Sequence, residues 1–308
     1  MRVAAAVLTG VLALVGCSDA GDSSPAEASG PSPRPSSSSP TAAAPARSAA
    51  RVSRPHTAAE AAAALAAAEP AVRSSATSEK DLVRAARAQQ LAYRELGAHP
   101  RWDAAVLRGV PAELRDDVRA NVASRREFRA MHTTLSDTLP AWRIVAPSPA
   151  EDLQRFYRQG ERTFGVEWEY LAAINLVETA MGRIRGTSVA GAQGPMQFLP
   201  STWDRWGRGD IDDPHDAILA AARYLAHNGG GRGQIAQALY RYNNSEHYVR
   251  GVTRLAEVMQ RDPRAYLGYY HWDVYYLTTR GDVRLPVGYD QRRPVPVADW
   301  LTDHPQQG

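Results

Sequence analysis

The stretch "LAAINLVETAMGR", Leu171 to Arg183, decides how the chain is read. Its apolar residues recur at helical spacing. Leu171, Ile174, Glu178 and Met181 are three, four and three positions apart and fall on one face. One member of that face is an acid. Glu167 and Glu169 lie elsewhere on the wheel and read as solvated, so Glu178 alone is aimed at apolar neighbours. Desolvation disfavours the charged form and predicts a pKa above the ordinary value of roughly 4.3. A carboxylic acid still protonated near neutral pH is the proton donor that glycosidic bond cleavage requires. The plainer reading is a buried ion pair with Arg183 or Arg185, and a structural pair would also perturb the acid.

The residues that follow favour chemistry. "IRGTSVAGAQGPMQFLPSTW" brings Gly186, Gly191 and Gly194 close together, a composition that lets backbone approach a ligand. The same segment offers Ser188, Gln193 and Gln197 as partners for sugar hydroxyls and acetamides. Ser188 could equally make a turn, and Met196 and Phe198 could simply be core.

Outward from this point the chain reads as helices. "SPAE" predicts a helix capped by Ser148 with Pro149 at its first position, running to Phe164 and stopping at Gly165. "STWD", Ser201 to Asp204, and "DPHD", Asp213 to Asp216, repeat the capping pattern. Further helices are expected to His227, over 234–242 and over 246–259. Upstream, Leu82, Ala85, Ala86, Gln89, Tyr93 and Leu96 share a helix face that Gly97 ends, and a second scaffold helix is expected from Pro111 to Met131. Alternation appears only in "DVYYLTTRGDVRLPVGY", which predicts a short hairpin around Arg280 and Gly281. The aromatic run "GYYHWDVYY" reads as packing in preference to a sugar platform. The expected fold is mainly α: a lysozyme-like helical domain over 141–262, scaffold helices over 78–140 and a short extended appendage over 263–308.

The N-terminus has a different character. An apolar run from Val3 to Val15 ends in "LVGC", and it is short for a bilayer span. It reads as a lipoprotein signal peptide over 1–17, with lipid expected on Cys17. Cys17 is the only cysteine, so no intrachain disulfide exists. Residues 18–77, rich in Pro, Ser and Ala, are expected to form a disordered tether. The expected location is extracytoplasmic, anchored to the cell membrane and facing the wall. The formal net charge is +3 and Arg supplies nearly all the cations. They are scattered, with no basic stripe, which argues against a nucleic-acid partner. A monomer is expected.

Four motifs together resemble the lytic transglycosylases of lysozyme-like fold: "VETAMGR", "SVAGAQGPMQFLPSTW", "DIDDPHDAILAAARYLAHNG" and "ALYRYNNSEHYVRGV". The form is most similar to the membrane-bound lytic transglycosylase B group, over roughly 142–259. The resemblance implies that Glu178 is the catalytic acid and that Ser188 orients it. It implies that Gln197, Tyr242 and Asn243 line the sugar site, with Gln193 and Met196 near it. It further implies cleavage of the β-1,4 bond between N-acetylmuramic acid and N-acetylglucosamine in peptidoglycan, without water, leaving 1,6-anhydro ends. The alternatives are a hydrolytic muramidase, which would need a second acid such as Asp210 or Asp212, and a non-catalytic peptidoglycan-binding lipoprotein. The B group's calcium loop has no counterpart in "RWGRGDIDDPHDA", and no histidine pair has zinc-ligand spacing. No metal or other cofactor is expected.

Overall fold

The structure is a computed structural model that describes residues 52–308. The signal peptide, Cys17 and the tether up to residue 51 lie outside the described residues. The architecture is mainly α-helical, as the sequence predicts.

Four helices form the scaffold: α1 (Ala58–Arg73), α2 (Glu79–Ala98), α3 (Asp103–Gly109) and α4 (Arg115–Ala130). The first corrects the tether boundary. Ala61, Leu65, Ala68 and Val72 of α1 are buried, and Thr57 caps its first turn by accepting from the Glu60 amide at 3.2 Å. Small alanines let α1 lie close against α2 and α3, so the Ala-rich segment has a surface to bury and folds with the body. The second expected scaffold helix, Pro111 to Met131, is present as α4 after a short turn of helix at Ala112–Leu114, and the short α3 before it was not expected.

The catalytic-type body contains α5 (Ala150–Phe164), α6 (Trp168–Thr179), α7 (Pro200–Trp206), α8 (Pro214–His227), α9 (Ile235–Tyr242), α10 (Glu246–Arg261) and α11 (Ala265–Tyr270). Helix α6 is enclosed on nearly every side by α5, α8, α10 and α11. Trp168, Leu171, Ala172, Ala173, Ile174 and Asn175 are all 2% exposed or less. Glu169, expected in solvent, is also buried at 9%. The amphipathic reading of α6 is therefore too weak, since a central helix buries all its faces. Gly165 ends α5 in the left-handed conformation at φ 73°.

The capping expectations divide. Asp213 caps α8, accepting from the Asp216 amide at 3.0 Å. Ser148 does not cap α5. Pro149 is the cap residue, and the Ser148 carbonyl instead accepts from the Tyr270 hydroxyl at 3.0 Å. Ser201 does not cap α7, whose first residue is Pro200 after Leu199. Proline serves at these starts because the amide it lacks would have no helical partner.

The expected hairpin is present. Strands β4 (Val274–Thr278) and β5 (Gly281–Leu285) pair antiparallel with Thr278 opposite Gly281. The appendage is more than an extended tail, however. Strand β1 (Thr138–Leu139) pairs with β6 (Val295–Pro296), and β2 (Arg143–Ile144) pairs with β3 (Ile184–Arg185), which follows α6. With helix α12 (Val297–Asp303), these pieces enclose a separate small core around Leu139, Ile144, Val283, Leu285 and Tyr289. Segments before α5 and after α11 thus close on each other, and the 140/141 and 262/263 boundaries expected from composition do not separate units. Ala265, Tyr266 and Tyr269 belong to the main core, which supports the packing reading of the aromatic run.

Candidate active site

Glu178 lies in the last turn of α6 and is 2% exposed. Among the described residues its carboxyl makes one hydrogen bond: the Tyr248 hydroxyl donates to Oε1 at 2.7 Å. The competing ion-pair reading fails on geometry. Arg183 donates to the carbonyls of Ala180 and Tyr270, at 3.0 and 2.6 Å. Arg185 donates to the Asp212 carbonyl at 3.0 Å. Neither reaches the acid. Burial pushes the Glu178 carboxyl up to about 7, and the Tyr248 hydrogen bond pulls the other way. No charge of either sign contributes to that shift. A site of this kind can hold a proton at neutral pH and release it to a basic oxygen.

Tyr248 projects inward from α10, whose Ser245 cap accepts from the Tyr248 amide. Its ring lies parallel to that of Tyr242, with centroids 6.5 Å apart. Tyr242, the last residue of α9, donates from its hydroxyl to the Met196 carbonyl at 2.6 Å. Both tyrosine hydroxyls are pushed well up by burial and by the nearby Glu178 charge, so both act as donors. Tyr242 of the "YN" pair therefore stands near the acid, and it ties the glycine-rich loop to α9.

That loop is held from α6 as well. The Asn175 side chain and the Thr179 hydroxyl both donate to the Pro195 carbonyl, at 2.8 and 2.6 Å. The Tyr157 hydroxyl fixes the Asn175 amide at 2.6 Å, and the Gly182 amide donates to Thr179 Oγ1 at 3.0 Å. Gln193 and Phe198 exchange both backbone hydrogen bonds at 2.9 Å, closing the loop into a tight hairpin. Gly194 sits there at φ 73°, and a Cβ would come within 2.0 Å of the Ile211 carbonyl oxygen, so no other residue fits. Gln197 adopts a positive φ of 50°, a conformation a non-glycine residue takes only under constraint.

The expected substrate residues fare differently. Gln197 and Asn243 are each 2% exposed. Gln197 Oε1 and Asn243 Nδ2 have no hydrogen-bond partner, a costly state for buried polar atoms. Gln193 is half-buried in the hairpin. Met196 is fully buried in the main core, and its carbonyl accepts from Tyr242. Ser188 makes no hydrogen bond to Glu178 among the described residues. Its hydroxyl accepts from the Ala192 amide at 3.0 Å and makes the loop turn. The group that holds the acid is Tyr248, which sequence reasoning missed. Its signal was available: Tyr248, Val252, Leu255 and Met259 share the inward face of α10, and one of the four carries a hydroxyl. Asn175 and Thr179 were missed too, although they are polar residues one turn apart in an apolar helix.

Asp210 and Asp212 are exposed. Asp210 Oδ1 accepts from the Asp212 amide at 2.9 Å, and Asp212 lies 4.0 Å from Arg185. Asp213, His215 and Asp216 bring their ligand-type atoms within 4.8 Å of one another. Asp213 is the α8 cap, and Asp216 accepts from the Asp210 amide at 3.0 Å and pairs with His215 at 2.9 Å. Those bonds account for the cluster without an ion.

The segment that carries this arrangement is similar in sequence to known proteins. The family model described as the transglycosylase SLT domain matches residues 155–262, from α5 to the end of α10. That segment is similar to transglycosylase SLT domains, and its mainly α architecture is consistent with the lysozyme-like fold. A membrane-bound lytic murein transglycosylase F from Thiobacillus denitrificans is 30% identical over 127 residues, 39% of this chain and 27% of the relative. The chain thus spans about a quarter of that relative's length. Neither similarity singles out the B group. No helix among the described residues is long and apolar enough to cross a membrane.

Proposed function

We propose that the protein is a peptidoglycan lytic transglycosylase with Glu178 as its single catalytic acid and base. The observation that carries this reading is a buried carboxyl that, among the described residues, has no cation to hold its charge and no second carboxylate acting on it. A hydrolase using two carboxylates needs them within roughly 5–9.5 Å, and Asp210 and Asp212 are exposed and occupied elsewhere.

Glu178, protonated, gives its proton to the glycosidic oxygen leaving N-acetylmuramic acid, while the 2-acetamido carbonyl oxygen supports the positive charge at the anomeric carbon. The C1–O bond breaks. The Glu178 carboxylate then takes the proton from the muramic 6-hydroxyl as that oxygen bonds to the same carbon. The proton count closes on the enzyme, no water enters, and the product is a 1,6-anhydro sugar. Tyr248 holds Oε1 throughout, leaving Oε2 for the proton in both steps. The unpartnered Gln197 Oε1 acceptor and Asn243 Nδ2 donor complement the N–H and C=O of an acetamido group. Gln193 is assigned to the same sugar site. Anchoring through lipid on Cys17 would place the enzyme at the membrane, facing the wall.

Mass spectrometry of muropeptides released from purified sacculi tests the reaction. Products 18 mass units below the hydrolytic ones are expected, the mass of one water. Release of products with reducing ends only would assign a hydrolase instead. No release of soluble glycan from a folded protein would leave the binding-lipoprotein reading.

A further inference from the structure

A second cavity, of about 190 Å³, lies between α4, the outer side of α6 and the β4–β5 hairpin. Glu178 is not part of its wall, although Leu176 and Val177 just before it are. The remaining wall is largely aromatic, with Phe128 and Trp142 prominent. One end is charged, and the charge does not balance.

Arg94 and Arg125 both line that end and share one carboxylate, Asp282. Arg94 binds Asp282 closely, through Nε at 2.8 Å and through a second nitrogen at 2.5 Å. Arg125 is left with loose contacts of 3.4 Å to both carboxylate oxygens. Its Nε, and Nδ1 of the neighbouring His132, are buried without a partner. Arg129 adds further positive charge to the same cluster. Asp273, the other acid in the wall, is already engaged by Arg87 and Arg284 at 3.1 and 2.9 Å. Burial and the Arg94 charge push the Arg125 guanidinium down to about 9, still charged at neutral pH. Burial likewise pushes His132 down to about 4, so the ring is neutral and can donate one N–H. A guanidinium this poorly matched in a half-buried, aromatic cavity needs an anion.

We propose that this cavity binds a small monocarboxylate with an apolar body, its carboxylate on Arg125 and His132 and its body against Phe128, Trp142, Leu176 and Val177. The site is separate from the glycan site and independent of the transglycosylase reading. The ligand contributes the second carboxylate that the arginine cluster lacks, and the aromatic wall selects against hydrated inorganic anions.

Isothermal titration calorimetry of the full chain with phenylacetate, and with phenylacetamide as the neutral match, tests the proposal. One-to-one binding of the acid is expected, with the amide at least roughly tenfold weaker, since a hydrogen-bonded charge pair is lost. Arg125→Met should weaken the acid by roughly ten- to hundred-fold. Val177→Trp should fill the cavity and abolish binding while circular dichroism stays helical. Glu178→Gln should bind phenylacetate as the wild type does, so failure of the catalytic reading would not disturb this one. Equal affinity for acid and amide would reduce the site to an apolar hole. Binding untouched by Val177→Trp, or no binding of either ligand to the folded wild type, would overturn the proposal.

Discussion

Two of the three glutamates buried in helices among the described residues have opposite surroundings. Glu69 of α1 is 0% exposed and Glu178 of α6 is 2% exposed. Glu69 is bonded to the Arg73 guanidinium, to the Tyr93 hydroxyl and to the Gln89 amide, the last at 2.9 Å. Arg73 continues to Asp117 at 2.8 Å, and Asp117 to Arg261 at 2.5 Å, so the network joins α1 to α4 and α10. Tyr269 of α11 enters it through Asn121 at 2.6 Å. Glu178 has one tyrosine and no cation. Similar burial therefore yields two different groups. A fully bonded acid ties helices together, whereas a sparsely bonded one is free to exchange a proton. Burial marks both, and only the partners tell them apart.

The largest effect should come from Glu178→Gln. The amide keeps the shape and can still accept from Tyr248, but it has no proton to transfer. Release of anhydro-muropeptides from sacculi should fall by at least ~10²–10⁴-fold. Stability should move the other way. The folded-state carboxyl titrates at about 7 against an ordinary value of 4.5. The folded protein therefore binds the extra proton between those values, and wild-type stability drops as pH rises through that window. The loss amounts to about 3 kcal/mol at pH 8. Urea unfolding at pH 4 and pH 8 should show this slope in the wild type and a flatter one in the variant. A variant that still turns over near the wild-type rate would sink the catalytic assignment.

Next comes the other side of the comparison. Arg73→Met removes the cation from the Glu69 network and leaves Glu69 and Asp117 short of a partner. Breaking a buried pair in this way costs about 3–5 kcal/mol. The chemical midpoint should fall accordingly, while turnover per folded molecule stays constant. A chain truncated before Ser78 should be damaged further, because it also loses the buried face of α1. Unchanged stability in both would return α1 to the tether.

The sequence carried the inward acid, the helical order and the hairpin. Spacing alone reports which face of a helix a residue occupies, and capping residues report where helices begin. It did not carry the partners. Tyr248 is 70 positions from Glu178, and no local pattern shows that the two meet. The burial of α1 was hidden for a similar reason. An alanine-rich helix looks soluble until the neighbours that bury it are known, and those come from α2 and α3. Ser148, Ser201 and Ser188 show the opposite error, where a recognisable motif suggested a bond that the folded chain makes elsewhere. Met196 reads equally as core or as site, and it is buried as Glu178 is. The small second core could not be seen at all, since it joins two-residue strands from positions as far apart as 138 and 296.

Tyr248→Phe sharpens the comparison by removing the only side-chain hydrogen bond Glu178 has among the described residues. The hydroxyl lowers the carboxyl pKa, so its loss should raise it further above about 7. The alkaline limb of the activity profile, where the catalytic proton is lost, should therefore move to higher pH. A hydrogen bond to a charged group is worth about 1.5–3 kcal/mol, so a fall in kcat of roughly tenfold or more is expected at the wild-type optimum. A purely structural tyrosine would lower stability and leave the position of the profile unmoved.

Asp210→Asn should have the smallest effect, and it bears on whether Glu178 acts alone. The Asp210 carboxyl is exposed and accepts from the Asp212 amide at 2.9 Å. An asparagine oxygen can accept the same bond, so the turn before α8 should survive. Its backbone amide still donates to Asp216, which the substitution does not touch. A surface change of this kind stays within about 0.5 kcal/mol, and turnover should remain within about twofold of wild type. The outcome matters because a hydrolytic muramidase would need this carboxylate, or Asp212, to activate water. If Asp210→Asn abolished glycan release while circular dichroism stayed native, and wild-type products carried reducing ends, the loop would have to bring Asp210 to the sugar. Glu178 would then be one of a pair, and its lack of a charged neighbour would be a property of the free enzyme alone. Retained activity with anhydro products would leave Glu178 as the one acid that both proton transfers use.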